Sequence, residues 1–186
     1  MRRGDSLGDI SKMAGPNDGT RSLVESILAP TVIAALKAWS EVNTEGVLVG
    51  GLALSYYVKP RMTEDIDLLF PSEQDVPTNV EGFERSQGRA FSHGATGVKV
   101  DLFTPALLGI PLNVAREVVR TALVDDDVRI ASPSALVALK LYRLNSQGKA
   151  DIVALIKTGR VDVAGFSLPR NRVDQYLTLI VDALSE

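Results

Sequence analysis

The chain contains no cysteine and only one histidine, His93, among its 186 residues. Without cysteine there can be no disulfide, no thiolate nucleophile, no Cys-ligated zinc and no iron–sulfur cluster. A single histidine also excludes a multi-histidine metal centre. Any metal site in this chain must therefore be built from carboxylates, whose oxygen atoms prefer hard ions such as Mg²⁺.

Long apolar runs are absent as well. No stretch approaches about 18 consecutive apolar residues, so the sequence predicts no membrane span. Two arginines near the N-terminus are not followed by an apolar segment, which argues against a secretory signal; we interpret residues 1–20 as a disordered leader and expect a cytoplasmic protein. The net charge of −3 excludes a protein that coats nucleic acid through bulk positive charge.

The hydrophobic pattern predicts an α/β (α+β) fold, with a small mixed sheet flanked by helices. Apolar residues at helical spacing over 21–42 predict a helix that is bent or broken near Pro30, because proline lacks the backbone donor. The run at 47–49 and the alternation over about 64–70 predict strands. Residues 71–88 are rich in loop-forming residues, and we interpret them as mostly loop.

The second half of the sequence is mostly helical. Before it, two alternating segments around the Gly94–Gly97 turn predict a β-hairpin, and a second hairpin surrounds an acidic turn. Ser132 is a good helix N-cap, with Pro133 at the first helical position. We predict a core over 21–131 and a helical subdomain over 132–186 packed on it.

Two glycines follow the strand at 47–49 and open a helix. Because Gly50 and Gly51 have no Cβ, a phosphate can approach their backbone N–H groups at the helix N-terminus. Strand-to-helix turns often carry glycine for purely structural reasons, so this signal is weak by itself.

Three aspartates supply the carboxylates. Asp65 and Asp67 alternate with buried residues and so point to one face of a strand. Two carboxylates there are costly unless a cation lies between them. Asp101 has the same alternation in the segment VKVDLF. If the two strands are neighbours, the three carboxylates can hold two Mg²⁺ ions that bind a triphosphate.

These motifs have a family resemblance. The segment GGLALSYYVKPRMTEDIDLLF resembles the polymerase β-like nucleotidyltransferases, and most closely the AbiEii-type minimal nucleotidyltransferases, with their Gly-Gly and Arg-x-Thr-x-Asp-Ile-Asp pattern. The segment SPSALVALKLYRLNSQGKADIVAL resembles their downstream helices. The resemblance covers about residues 45–160.

The resemblance implies roles for nine residues. The metal ligands and catalytic carboxylates would be Asp65, Asp67 and Asp101, with Asp101 as a candidate base. The nucleotide-binding residues would be Gly50, Gly51, Arg61, Thr63, Lys140 and Asp151. The same residues have simpler interpretations. Arg61 could only fix its loop, Lys140 could be a solvated lysine, and Asp151 could be a helix N-terminal acid.

The implied activity is transfer of a nucleoside monophosphate from an NTP to a hydroxyl acceptor, with release of pyrophosphate. The acceptor would be an RNA or tRNA end or a protein, in a toxin–antitoxin or phage-defence setting with a cognate regulator. Two alternatives stay open: an aminoglycoside-type antibiotic nucleotidyltransferase, and an inactive nucleotide- or partner-binding module of the same fold. The family's usual Lys-Asp pair before the second helical Asp is shortened here to Gly148-Lys149-Ala150-Asp151, which is a departure from the family pattern at Asp151.

Overall fold

The computed structural model describes residues 22–43, 45–59 and 62–185. Within these ranges the strands are β1 (Val47–Val49), β2 (Ile66–Leu69), β3 (Phe83–Arg85), β4 (Ala90–His93), β5 (Lys99–Phe103), β6 (Leu123–Asp125) and β7 (Val128–Ile130). The helices are α1 (Pro30–Val42), α2 (Gly50–Tyr57), α3 (Pro105–Leu108), α4 (Leu112–Arg120), α5 (Pro133–Tyr142), α6 (Ser146–Ile156) and α7 (Arg170–Ser185).

All seven of these strands join one mixed sheet in the order β3-β4-β5-β2-β1-β7-β6. Strand β2 pairs antiparallel with β1 and parallel with β5, while β1 pairs parallel with β7. Strands β1 and β2 are consequently in the middle, and their apolar side chains are buried. The predicted mixed sheet flanked by helices is confirmed.

The chain breaks just before Pro30, as predicted. Residues 24–26 form a short 3₁₀ turn, Ala29 is extended, and α1 begins at Pro30. Proline suits this first position because its missing N–H has no partner within a helix there. The residues before Pro30 thus belong to a separate element rather than to the first turns of α1.

The interpretation of 71–88 as mostly loop missed β3. This edge strand has three residues, of which only Phe83 is buried, so it leaves almost no periodic signal. The ring of Phe83 packs edge-on against Trp39 of α1 at a centroid distance of 5.0 Å. A tertiary contact, rather than local alternation, determines this strand.

Asp126 and Asp127 form the predicted acidic turn, between Asp125 at the end of β6 and Val128 at the start of β7. Asp126 and Asp127 have φ of 49° and 60°, which suits a tight hairpin turn. Asp125 and Asp126 accept hydrogen bonds from the backbone N–H groups of Leu23 and Val24, at 2.9 and 3.0 Å. The acidic turn therefore anchors the chain that precedes α1.

The helices α5–α7 form the helical C-terminal region and pack against α2 and α4. Ser132 caps α5 as predicted, since its Oγ accepts the Ala135 N–H at 3.2 Å, and Pro133 is the first helical residue. One hydrophobic core runs through both halves of the chain, so the division at 131/132 stays a prediction. The predicted leader over residues 1–20 lies outside the described residues. In the described ranges, no helix has both the length and the apolar character that crossing a membrane requires.

Candidate active site

The junction between β1 and α2 is built around the carboxylate of Asp67. Gly50 has a φ of +66°, a conformation that residues with a Cβ rarely adopt. A Cβ on Gly50 would lie only 2.0 Å from Oδ2 of Asp67. The Gly51 backbone N–H donates a hydrogen bond to the same carboxylate. The glycine pair therefore has a structural task at Asp67, and its phosphate-binding role stays a prediction.

Asp67 and Asp101 lie side by side on neighbouring strands. They are direct partners in the parallel register between β2 and β5, and both are half-buried. Burial, followed by the negative charges of Asp101 and Asp65, raises the pKa of Asp67 from 3.8 to about 6. The predicted neighbouring placement of these two strands is observed.

Asp65 is close to Asp67 in the sequence but is not part of strand β2. The pairing of β2 with β5 begins at Ile66 and Val100, so the predicted strand over about 64–70 is shorter than expected. The side chain of Asp65 is exposed, and its charge still contributes to the raised pKa of Asp67. Asp65 is therefore an exposed carboxylate just before the strand that contains Asp67.

A cation is already present beside Asp101. The Lys99 ammonium donates to Oδ2 of Asp101 at 2.8 Å, and this hydrogen bond is the main reason why the pKa of Lys99 is raised. In the described portion of the chain, no three Asp, Glu or His side chains converge as a metal site. Asp101 is held by Lys99 and Asp67 by the Gly51 N–H, so the assignment of the three aspartates as metal ligands stays a prediction.

The donor set nevertheless fits a hard divalent ion. It offers only carboxylate oxygens, which are the ligands that Mg²⁺ prefers. Burial is the main cause of the raised pKa of Asp67 and the charges of Asp101 and Asp65 add to it, so a negative charge at this position is costly without a cation. The Lys99 ammonium supplies part of the positive charge that these carboxylates require.

Asp67 opens into a cleft of about 290 Å³ between the sheet and the helices α5 and α6. The cleft is lined by Val49, Gly50, Asp67, Phe103, Leu108, Leu136, Leu139, Lys140, Arg143, Asn145, Gln147, Gly148 and Asp151. Four of the predicted site residues thus meet here from distant parts of the sequence, namely Gly50, Asp67, Lys140 and Asp151. The remaining lining residues combine an apolar patch with polar and cationic groups.

Lys140 and Asp151 form an ion pair in the helical wall of the cleft. Nζ of Lys140 lies 2.7 Å from Oδ2 of Asp151, and Gln147 donates to the other carboxylate oxygen at 3.0 Å. The side chains are only 19% and 7% exposed, so neither is a freely solvated charge. Asp151 is in the second turn of α6 rather than at its start, and the pair ties α5 to α6.

The other predicted residues are placed less directly. Thr63 is half-buried and is not among the residues that line the cleft. Arg61 lies outside the described residues. Tyr57, at the end of α2, is 1% exposed, and the Tyr56 side chain is hydrogen-bonded to Asp125. Neither tyrosine lines the cleft.

Sequence reasoning missed several cleft residues, notably Phe103, Arg143, Asn145 and Gln147. The only signal for Phe103 was its alternation with Asp101 on β5. Asn145 could have been found as the N-cap of α6, where its Oδ1 accepts the Gly148 N–H at 2.7 Å. Arg143 is one helical turn after Lys140, at the C-cap of α5.

Comparison with known proteins places these features in a family. No curated protein matches the chain. The family model described as "Nucleotidyl transferase AbiEii toxin, Type IV TA system" matches residues 34–153, which is more than half of the chain. The matched segment contains the glycine turn, the three aspartates and the ion pair of the cleft wall. The chain therefore belongs to the AbiEii family of nucleotidyl transferase toxins of type IV toxin–antitoxin systems.

Proposed function

We propose that this protein is a Mg²⁺-dependent enzyme that transfers NMP from an NTP to a hydroxyl group. In the reaction, the acceptor oxygen forms a bond to the α-phosphorus, the bond from that phosphorus to the bridging oxygen breaks, and pyrophosphate leaves. The hydroxyl proton passes to a carboxylate. Family membership implies nucleotidyl transfer, an NTP substrate and a cognate antitoxin; the metal and the acceptor are part of the proposal.

The observation that carries the proposal is the paired placement of Asp67 and Asp101 beside a cleft with a cationic opposite wall. The two carboxylates are adjacent across β2 and β5, and Asp67 lines the cleft that also contains Lys140. A triphosphate needs positive charge along its length and oxygen ligands for its metal ions. The lining of this cavity offers the carboxylate oxygens of Asp67 and the cationic side chains of Lys140 and Arg143.

In the proposed site, Asp65, Asp67 and Asp101 are the metal ligands. Bound Mg²⁺, as two ions, would neutralise triphosphate charge and activate the attacking hydroxyl. The Gly50–Gly51 turn holds the Asp67 carboxylate in position through the Gly51 N–H. A carboxylate oxygen of Asp101 would accept the proton of the hydroxyl.

The nucleotide would lie in the cleft against α5 and α6. We propose that the Lys140 ammonium contacts the triphosphate while Asp151 keeps it in place through their 2.7 Å contact. Arg61 and Thr63 precede β2, and they are proposed to assist at the nucleotide, as the family pattern implies. Gly50 and Gly51 would allow a phosphate to approach the backbone.

The acceptor is proposed to be an RNA end, such as that of a tRNA, or a protein hydroxyl. A direct test is to incubate the purified chain with Mg²⁺ and each NTP, labelled in turn at the α- or the γ-phosphate, with total RNA or with cell lysate. Transfer of the α-label alone to RNA or to protein identifies both the reaction and the acceptor class.

The variants Asp67→Asn and Asp101→Asn keep side-chain size but remove the charge, and each should lower transfer at least about 100-fold. Asp182→Asn is a matched control, since Asp182 is exposed on α7 outside the cleft. Transfer of the γ-label would reject nucleotidyl transfer. Nucleotide binding without transfer to RNA, protein or an aminoglycoside would favour the inactive binding module.

A further inference from the structure

The helical wall of the cleft carries one more positive charge than its own contacts neutralise. Lys140 of α5 and Arg143 at the C-cap of that helix are three residues apart, and both line the cleft. The charge of Lys140 is balanced by Asp151, whose second oxygen is occupied by Gln147. The Lys140–Asp151 pair is electrically neutral as a unit.

Arg143 has no such partner. Its side chain is exposed at the cleft, and in the ranges the structure describes its guanidinium makes no hydrogen bond and no ion pair. A cation at a helix C-terminus can stabilise the helix, which is the simplest structural reason for an arginine at the α5 C-cap. That reason, however, does not require the side chain to line the cavity that contains Asp67.

We propose that Arg143 binds the terminal phosphates of the nucleotide, and that it supplies the net positive charge which the neutral Lys140–Asp151 pair cannot. This inference rests on the proposed function, because it assigns a direction to the nucleotide in the same cleft. A guanidinium presents paired N–H donors that match two phosphate oxygens, whereas an ammonium acts as a point charge. The ligand class is a nucleoside triphosphate or diphosphate, and a monophosphate lacks the groups that Arg143 recognises.

The test is equilibrium binding by calorimetry to the full chain, with Mg²⁺ and without acceptor. The ligands are the NTP, NDP and NMP of each base. Arg143→Met should weaken NTP binding by about 10-fold or more and leave NMP binding unchanged. Arg143→Lys should fall between Arg143→Met and the wild type. Arg85→Met is the matched control, because Arg85 is exposed on the edge strand β3 and does not line the cleft.

Two results would overturn the assignment while leaving the proposed function intact. The first is wild-type NTP affinity in Arg143→Met. The second is an equal loss of NTP and NMP affinity together with a lower melting temperature, which would show a purely structural role in α5. In both cases α-label transfer by the wild type still supports nucleotidyl transfer. A wild-type protein that binds no NTP would instead overturn both proposals.

Discussion

Replacing Gly50 with alanine should disturb the site at its most crowded point. Gly50 has a φ of +66°, and an added Cβ would lie 2.0 Å from Oδ2, 2.8 Å from Cγ and 3.0 Å from Cβ of Asp67. Gly109 provides a matched comparison, because its φ is +65° and a Cβ there would meet nothing within 4 Å. The two substitutions share the backbone strain, and only the first adds a collision.

The expected magnitudes follow from these two terms. An alanine in the left-handed region costs about 1–2 kcal/mol, and this applies at both positions. Forcing the Asp67 carboxylate aside adds an overpacking cost of about 1–3 kcal/mol at Gly50. Gly50→Ala should therefore lower the free energy of unfolding by about 2–5 kcal/mol, against about 1–2 kcal/mol for Gly109→Ala.

The assay is urea unfolding of both variants in metal-free buffer, followed by circular dichroism. A double-mutant cycle isolates the contact: Gly50→Ala should cost only about 1–2 kcal/mol when Asp67 is already alanine, because Oδ2 and Cγ are then absent. Equal costs for Gly50→Ala and Gly109→Ala in the wild-type background would refute the close packing of Gly50 on Asp67.

Three further outcomes concern the charges of the site. The folded pKa of Asp67 is raised from 3.8 to about 6, so its stabilising contribution is complete below about pH 3.8 and is lost as the pH rises through about 6. In metal-free urea unfolding near pH 8, the free energy of unfolding of Asp67→Asn should exceed that of the wild type by up to about 3 kcal/mol. Near pH 4 the difference should be less than about 1 kcal/mol. Equal stabilities near pH 8 would contradict this expectation. Lys99→Met removes the ammonium that holds Asp101 and should lower the melting temperature in the absence of metal. Addition of Mg²⁺ should then raise the melting temperature of this variant more than that of the wild type. An equal rise in both proteins would show that Lys99 and the metal do not compete. Asp151→Ala leaves the Lys140 ammonium largely buried without its carboxylate and should lower the free energy of unfolding in urea by about 3 kcal/mol. Much of this loss should be regained when Lys140 is also replaced by methionine. An Asp151→Ala variant as stable as the wild type would argue against a stabilising Lys140–Asp151 ion pair.

Local sequence signals predicted most of the elements, because each signal depends on neighbouring residues. The β-hairpin predicted around the Gly94–Gly97 turn is formed by β4 and β5, and Ser132 caps α5 as its position suggests. Proline and the two glycines after β1 mark element boundaries that the structure retains. Strand β3 was missed because three residues at a sheet edge, held by the contact of Phe83 with Trp39, carry no usable periodicity.

The candidate site divides in the same way. The alternation of apolar and polar residues on β2 and β5 was enough to predict that Asp67 and Asp101 lie on the face of each strand opposite its buried residues. It could not predict that Asp65 precedes the ladder, because the end of a strand depends on where its partner begins. It also could not identify Lys99 as the counter-ion of Asp101, since that depends on side-chain conformation.

By itself, then, the sequence determined the residue types of the chemistry: with no cysteine and one histidine, carboxylates are what remains for a metal, and their alternation sets the face on which they lie. Only the tertiary structure decided which of them meet. The sheet order β5-β2-β1 brings Asp101, Asp67 and the glycine turn together, and the packing of α5 and α6 closes the cleft with Lys140, Asp151 and Arg143. These contacts join residues far apart along the chain, and no local pattern encodes them because they depend on how whole elements pack.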